Sequence, residues 1–356
     1  MPVIEIASKS HPYRVASCPD PAAALREAAA DPAAFFVVDA EAIRLFPEWF
    51  APVVTSGRAV PVAASEEAKS YFAIEPVFCR LLELGIRRTG RLIVIGGGVL
   101  QDIGCFIAST LFRGVRWTFF PTTLLAQCDS CIGGKSSLNI GSYKNQLGTF
   151  YAPHEILLST RFLATLPPDQ IVSGLGEAIK LHWIEGSEAV ARLHGWLANP
   201  DAARFEENLE PIIWSSLRIK HRFIEEDEFD RGIRNLLNYG HTFAHAFESA
   251  TAYAVPHGIA VTAGTACAVI FSERRGLLPP GEWDRLRAWL QPYYGKFVPV
   301  LRAASRAKIV SAMTHDKKNT GAGITFILTS GPGRMEKTPL PREEVEAALD
   351  CALEVL

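Results

Sequence analysis

Arg91-Leu92-Ile93-Val94-Ile95 runs without a break into Gly96-Gly97-Gly98, and helical spacing follows at once from about Gln101 to Phe112. An apolar strand without polar alternation belongs inside a sheet covered on both faces, and a glycine turn opening a helix fits a strand–helix–strand unit. Phe35-Phe36-Val37-Val38 and Trp117–Phe120 read as further strands, with Val53-Val54 and Val60–Val62 as weaker ones. Helical spacing also spans about Glu66 to Arg88. Strand and helix alternating in this way predict a parallel sheet in an α/β domain.

Around Leu166-Pro167-Pro168 the pattern changes. Amphipathic stretches then dominate (Ile171–Glu185, Pro211–Glu225, His241–Ala252, Ile259–Arg275, Val345–Leu356), and Gly323–Leu328 is the one strand-like run. We place a boundary there, with an α/β domain over 1–168 and a mostly α-helical domain over 169–356. A length of 356 residues suits two domains, and 48% hydrophobic residues exclude disorder. A net charge of −2 gives no general attraction to nucleic acid or to anionic membranes, so neither is expected as a partner. No apolar run reaches the length of a membrane span, and MPVIEIASKSHPYRV has no signal-peptide core, so the cytoplasm is expected. Seven cysteines without a secretion signal argue against a disulfide framework. Cys128-Asp-Ser-Cys131 has redox or zinc spacing, but no second C-x-x-C or nearby histidine accompanies it. Two small packing residues are the better reading.

The triglycine turn is a plausible phosphate cradle, because glycine lets the backbone approach a pyrophosphate and a helix N-terminus supplies N–H groups. Its pattern is G-G-G-x-x-x-D, from Gly96 to Asp102, and not the G-x-G-x-x-G fingerprint. Phe120-Pro121-Thr122-Thr123-Leu124-Leu125-Ala126-Gln127 leads on to Asp129-Ser130, Gly133-Gly134-Lys135 and Lys144-Asn145. Two lysines and an asparagine beside a diglycine suit an oxyanion.

A second cluster lies in the helical half. Glu177 sits in Gly174-Leu175-Gly176-Glu177-Ala178-Ile179-Lys180, and later come Arg234-Asn235-Leu236-Leu237-Asn238-Tyr239-Gly240-His241-Thr242-Phe243-Ala244-His245 and Pro256-His257-Gly258. Histidines four apart share a helix face, so His241 and His245 are a candidate zinc pair. The H-x-x-x-H pattern lacks the glutamate of a zinc protease. One carboxylate and two imidazoles leave a zinc position open, as a catalytic site requires.

In this order and spacing, GGGVLQD, RG, PTTLLAQ-x-DS, GGK, KN, GEAIK, RNLLN-x-GHTFAHA, HG-x-AV and DKK resemble the sugar-phosphate cyclases, most closely 3-dehydroquinate synthases of the shikimate pathway to aromatic amino acids. The resemblance spans roughly residues 60 to 320. It implies the dehydroquinate synthase-like fold: an N-terminal dinucleotide-binding, Rossmann-like domain, a helical C-terminal domain, an active site between them, and a homodimer. It implies that NAD is bound and recycled on Gly96, Gly97, Gly98, Val99, Asp102, Thr122, Thr123, Glu66 and Lys69, with Asp129, Lys144, Phe162, Thr165 and Leu166 also lining it. Metal ligands carried over are Glu177, His241 and His257 for Zn2+ or Co2+, which leaves His245 to the substrate and corrects the pairing above. Catalytic places fall on Asp129, Lys135, Lys180, Lys220, Arg234, Asn238 and His245. The phosphate falls to Arg113 (from the partner subunit), Lys135, Asn145, Asn238, His245 and Lys317 or Lys318, and the rest of the substrate to Lys144, Lys220 and Arg234.

The implied reaction turns 3-deoxy-D-arabino-heptulosonate 7-phosphate into 3-dehydroquinate. Hydride leaves the C5 hydroxyl carbon, phosphate departs by β-elimination acting as its own base, the ketone is reduced back, the ring opens and an aldol step closes the carbocycle. Arg234 matches the arginine that pairs with the substrate carboxylate, which cyclases of neutral sugar phosphates generally lack, and Asn238 agrees. Ile259, Ala244, Gln101, Cys128 and Cys131 depart from the pattern. They keep open a secondary-metabolism cyclase of the amino-dehydroquinate, epi-valiolone or deoxy-scyllo-inosose type. Two other classes are a metal-dependent alcohol or polyol dehydrogenase of the same architecture, and a silent binding or redox protein using Cys128 and Cys131.

Overall fold

The apolar runs of the first half become central strands of a sheet. In the computed structural model, which describes residues 2–141, 143–198, 202–314 and 323–356 (backbone only over 202–207), nine strands precede residue 160. They are β1 (Val3–Ile6), β2 (Tyr13–Ser17), β3 (Ala34–Asp39), β4 (Ala59–Val62), β5 (Arg91–Gly96), β6 (Arg116–Pro121), β7 (Leu138–Ile140), β8 (Tyr143–Leu147) and β9 (Glu155–Leu158). Seven form one sheet in the order β1-β2-β9-β6-β5-β3-β4, parallel except for β1 against β2. β3, β5 and β6 are buried at almost every position, as strands covered on both faces must be.

From β3 the chain moves to β4 on one side, and from β5 to β6 on the other, so the strand order reverses between β3 and β5. Open α/β sheets bind ligands outside the carboxyl ends of the strands at such a reversal. Gly96-Gly97-Gly98 sits at that end of β5, with the Thr122 N–H donating to the Gly96 carbonyl at 2.9 Å.

Several expected elements differ. Val53-Val54 lies in the helix Pro47–Thr55, where Pro47 opens the helix and Phe50 and Val53 form an i, i+3 buried stripe. The stretch Glu66–Arg88 divides into a 3-10 turn, Glu66–Lys69, and a helix, Tyr71–Glu83, because Ser70 is extended and its hydroxyl caps the Ala73 N–H. The short strands β1, β2, β7, β8 and β9 have no long apolar run to announce them.

The chain folds into two compact units: Met1–Pro167 with Ile213–Phe229, and Pro168–Ile212 with Asp230–Leu356. The long helix Ala202–Glu226 thus belongs in part to each, which a single boundary at residue 168 does not capture. The second unit is mainly helical and, among the described residues, carries one antiparallel hairpin, β10 (Ile324–Thr329) with β11 (Met335–Leu340); the sequence pointed only to β10. Its centre is the helix His257–Arg274, buried without interruption from Gly258 to Ser272. No helix among the described residues is long and apolar enough to cross a membrane.

Candidate active site

Backbone contact between helices assembles the second unit's cluster. Glu177 and Lys180 are on the helix Pro168–Glu185, His241 and His245 on His241–Ala250, and His257 opens His257–Arg274. A Cβ on Gly176 would overlap the carbonyl oxygen of Gly258, and one on Gly258 would overlap that of Ser173. A Cβ on Gly264 would likewise overlap the carbonyl oxygen of Gly240. Glycine at these crossings lets three helices touch, and that brings their functional side chains into reach of one another.

His257 Nε2 lies 3.2 Å from Glu177 Oε1, and His241 Nε2 lies 3.7 Å from the same oxygen. One donor atom from each of Glu177, His241 and His257 falls within 4.8 Å of the others. That suits a small divalent cation bound by two imidazole nitrogens and a carboxylate oxygen. His241 Nδ1 is 3.2 Å from the Tyr239 carbonyl, which as an acceptor assigns the proton to Nδ1 and leaves Nε2 to bind metal. His257 Nδ1 is 3.2 Å from both carboxylate oxygens of Glu248.

Glu177 is 1% exposed, and the Lys180 ammonium lies 2.5 Å from its Oε2. Burial alone would push this carboxyl up, but Lys180 and His257 outweigh it and hold it well below the usual carboxylate range. For His257, burial acts downward, but Glu248 and Glu177 raise it to about 10. Without a cation this site therefore holds a proton on His257.

His245 joins the same group: its ring centre is 5.4 Å from that of His241 and 6.1 Å from that of His257. Arg234 is 3% exposed on the 3-10 turn Ile233–Asn238, and Asn238 closes that turn by donating to the Asn235 carbonyl at 3.0 Å.

The first unit gathers the other expected residues. Gly97 faces Thr123 so closely that a Cβ would come within 2.8 Å of its methyl group, while one on Gly98 would meet nothing nearer than Ser130 Oγ at 3.6 Å. The N-terminus of the helix Gly98–Thr110, which carries Val99, thus stays open to an anion. Asp102, further along that helix, pairs with Lys69 at 2.7 Å and accepts the Ser137 N–H at 2.9 Å. Burial raises the Asp102 carboxyl, with Lys69 opposing. Glu66 pairs with Lys144 at 3.1 Å and accepts from Asn139 at 2.9 Å, while Lys69 donates to Asn145 Oδ1 at 3.4 Å. Lys220 donates to the Asp129 carbonyl at 2.7 Å and pairs with its carboxylate at 3.0 Å. Asp129 sits in a π-helical turn, Ala126–Ser130, a local distortion common at functional sites.

Two family matches cover most of this chain. The 3-dehydroquinate synthase N-terminal family matches residues 59–173, and the 3-dehydroquinate synthase C-terminal family matches 174–319. The chain belongs to the 3-dehydroquinate synthase family. A curated relative from Enterococcus faecalis, 3-dehydroquinate synthase, is 36% identical over 293 residues, or 82% of this chain and 80% of that protein. Another 3-dehydroquinate synthase, from Streptococcus sanguinis, is 35% identical over 286 residues, 80% of this chain and 79% of its own. Among solved structures, 2-epi-5-epi-valiolone synthase from Streptomyces hygroscopicus with NAD+ and Zn2+ bound has a TM-score of 0.84 and 25% identity, covering 98% of this chain and 99% of that one. A probable glycerol dehydrogenase from Sinorhizobium meliloti shares the fold more distantly, with a TM-score of 0.61 and 15% identity over 96% of each chain. An enzyme of the phosphate-eliminating cyclase type follows from this membership.

Seven expected family residues remain: Phe162, Thr165, Leu166, Lys317, Lys318, Arg113 and Lys135. The Phe162 ring is 1% exposed and packs against Phe46 and Trp49 in the core of the first unit. Thr165 and Leu166 end the adjoining 3-10 turn and are less buried. Lys317 and Lys318 lie outside the described residues. Arg113 is exposed on a turn where Phe112 and Arg113 both take left-handed backbone angles (φ 52° and 63°), a strained conformation that holds its side chain out. Lys135 follows Gly133 and Gly134, and its ammonium lies 5.9 Å from the Phe150 ring centre.

Cys128 and Cys131 are buried, and burial pushes the Cys131 thiol up to about 12, so it stays protonated and unreactive. The sequence alone does not single out Glu248, the Tyr239 carbonyl, or the Gln101 side chain as a donor to the Lys135 carbonyl at 2.7 Å. Glu248 had one signal: it lies one turn beyond His245 on the same helix face.

Proposed function

We propose that this chain converts 3-deoxy-D-arabino-heptulosonate 7-phosphate to 3-dehydroquinate with release of phosphate, as a cytoplasmic homodimer serving the shikimate pathway. The observation that carries the reading is the Glu177–His241–His257 group with Lys180 against its buried carboxylate, in a chain of this family. Its donors suit Zn2+ or Co2+, and the open helix terminus at Gly97 and Gly98 suits a dinucleotide pyrophosphate. When bound, NAD supplies a reversible hydride acceptor and the metal polarises substrate hydroxyls.

The chain's own residues do the rest. The substrate carries about three negative charges, and Lys180, Lys220, Arg234, Lys135 and the partner's counterpart of Arg113 hold it. Arg234, as a planar two-pronged donor, takes the carboxylate, and this favours a carboxylated substrate over neutral heptulose or hexose phosphates. His245 and Asn238 contact the phosphate. Asp102 and Glu66 offer carboxylates to the ribose hydroxyls of the nucleotide. No side chain is needed as a strong base, because the departing phosphate can remove the proton.

Fold likeness leaves a second reading open: 2-deoxy-scyllo-inosose synthase complexed with carbaglucose-6-phosphate, NAD+ and Co2+ has a TM-score of 0.81 at 22% identity, over 98% of this chain and 99% of that one. The deciding experiment is phosphate release by the NAD- and zinc-loaded protein on heptulosonate, heptulose and hexose phosphates. Stoichiometric release from the heptulosonate phosphate, with no NADH accumulating, is expected. Release only from a neutral sugar phosphate would transfer the protein to secondary metabolism, and NADH accumulating on polyols would make it a dehydrogenase.

A further inference from the structure

Glu248 is not among the residues that family resemblance assigns to metal, substrate or cofactor. It is 14% exposed, on the helix that begins with His241, and both its oxygens lie 3.2 Å from His257 Nδ1. The other ring nitrogen, Nε2, faces Glu177 Oε1 at 3.2 Å. An imidazole offers two nitrogens, and a carboxylate on one fixes the ring's orientation and assigns the lone pair to the other.

We propose that Glu248 is the positioning residue of the metal centre, holding His257 so that Nε2 points at the cation. This rests on the metal-binding reading of Glu177, His241 and His257 given above. His241 has a weaker counterpart in the Tyr239 carbonyl, a neutral acceptor at 3.2 Å. A charged acceptor raises the basicity of its imidazole more than a neutral one does, so His257 is the stronger nitrogen donor of the pair.

The same atoms admit one competitor. His245, Glu248 and His257 also present donor atoms within 4.8 Å of one another. A second cation there would have to share the His257 ring with the first, binding Nδ1 while Nε2 binds the other. That requires an imidazolate with no proton on either nitrogen. A carboxylate accepting the Nδ1 proton satisfies the same geometry without it.

Zinc affinity, measured by competition with a chromophoric chelator on the full chain, tests this without turnover. Glu248→Ala should weaken zinc binding about 10- to 100-fold. Glu248→Gln keeps an acceptor of the same length and should recover part of that loss. The visible absorption of the Co2+-loaded protein should change in Glu248→Ala, while NAD affinity should not. Zinc affinity unchanged in Glu248→Ala would overturn the proposal. So would two zinc ions per parent chain, with the second lost in both Glu248→Ala and His245→Ala. Glu177→Ala separates the two readings. If it loses zinc while Glu248→Ala keeps it, only the positioning role falls; if neither loses zinc, the metal centre itself is wrong.

Discussion

The two functional clusters are built on opposite principles. In the second unit, Glu177, Lys180 and His241 are buried on helices pressed together at glycines, with almost no water to soften the Glu177–Lys180 pair, while His257 stands at their edge with its side chain 35% exposed. In the first unit, Glu66, Lys144 and Asn145 are partly solvated, and with the more deeply set Lys69–Asp102 pair they hold one another through a chain of ordinary polar contacts. The first arrangement is fixed by backbone contact at the helix crossings and sets donor atoms where a cation could be held. The second is fixed by pairings among its own side chains. One site is set by packing, the other by polar contacts.

The contrast breaks most visibly at the helix crossings. Gly258→Ala drives a methyl group into the Ser173 carbonyl, and we expect a loss of about 3 kcal/mol or more, seen in thermal unfolding, together with loss of zinc binding. Gly195, in the helix Ser187–Leu197, would place a Cβ in open space, so Gly195→Ala should stabilise by up to about 1 kcal/mol. If both variants behave alike, close helix contact does not organise the site.

Lys180→Met comes next. Removing the ammonium leaves Glu177 buried without its closest cation, and about 3 kcal/mol of stability should go in metal-free protein. Zinc supplies the missing positive charge, so saturating zinc should restore most of the loss. An equal deficit with and without zinc would show that the cation does not sit at Glu177.

The pH dependence sharpens the same point. His257 titrates at about 10 in the metal-free fold against 6.5 in the unfolded chain, so its contribution to stability is full below 6.5 and lost as pH rises through 10. Glu177 is held below its ordinary value of 4.5, so its contribution is present above 4.5 and fades as pH falls below it. Zinc must displace the His257 proton, so zinc affinity should rise with pH over the window in which the metal-free fold weakens. Unfolding temperatures from about pH 6 to about pH 10, with zinc and with chelator, should diverge; parallel curves would contradict the assignment.

The first unit should respond least. Lys144→Ala removes a pair that is about one-third exposed on each side, so stability should move by less than about 1 kcal/mol while NAD affinity drops several-fold by calorimetry. A large stability loss there would erase the distinction between the two clusters.

What the sequence disclosed follows the same division. Triglycine after an apolar strand, and His241 and His257 at helix starts, are legible because the chemistry accepts few residue types there; Glu177, expected near a helix start, lies in the middle of the helix Pro168–Glu185. Glu248 was not, since any acceptor can hold an imidazole, and its place one turn beyond His245 is one that many surface residues share. The central strands were plain from runs such as Leu92–Ile95, whereas β1 and β2 alternate buried and exposed residues over only four or five positions. Ile213–Phe229 read correctly as helix over most of its length, but an amphipathic stripe does not say which core it covers, and this one packs with the first unit. Val53-Val54 misled because β-branched pairs favour strands, while Pro47 and the spacing of Phe50 to Val53 favoured the helix.

X-ray absorption at the zinc edge tests the central claim most directly. One zinc per chain, coordinated by two imidazole nitrogens and carboxylate oxygen at about 2.0–2.2 Å and lost in Glu177→Gln, is the predicted result. Sulfur ligands at about 2.3 Å, or a spectrum unchanged in Glu177→Gln, would contradict it.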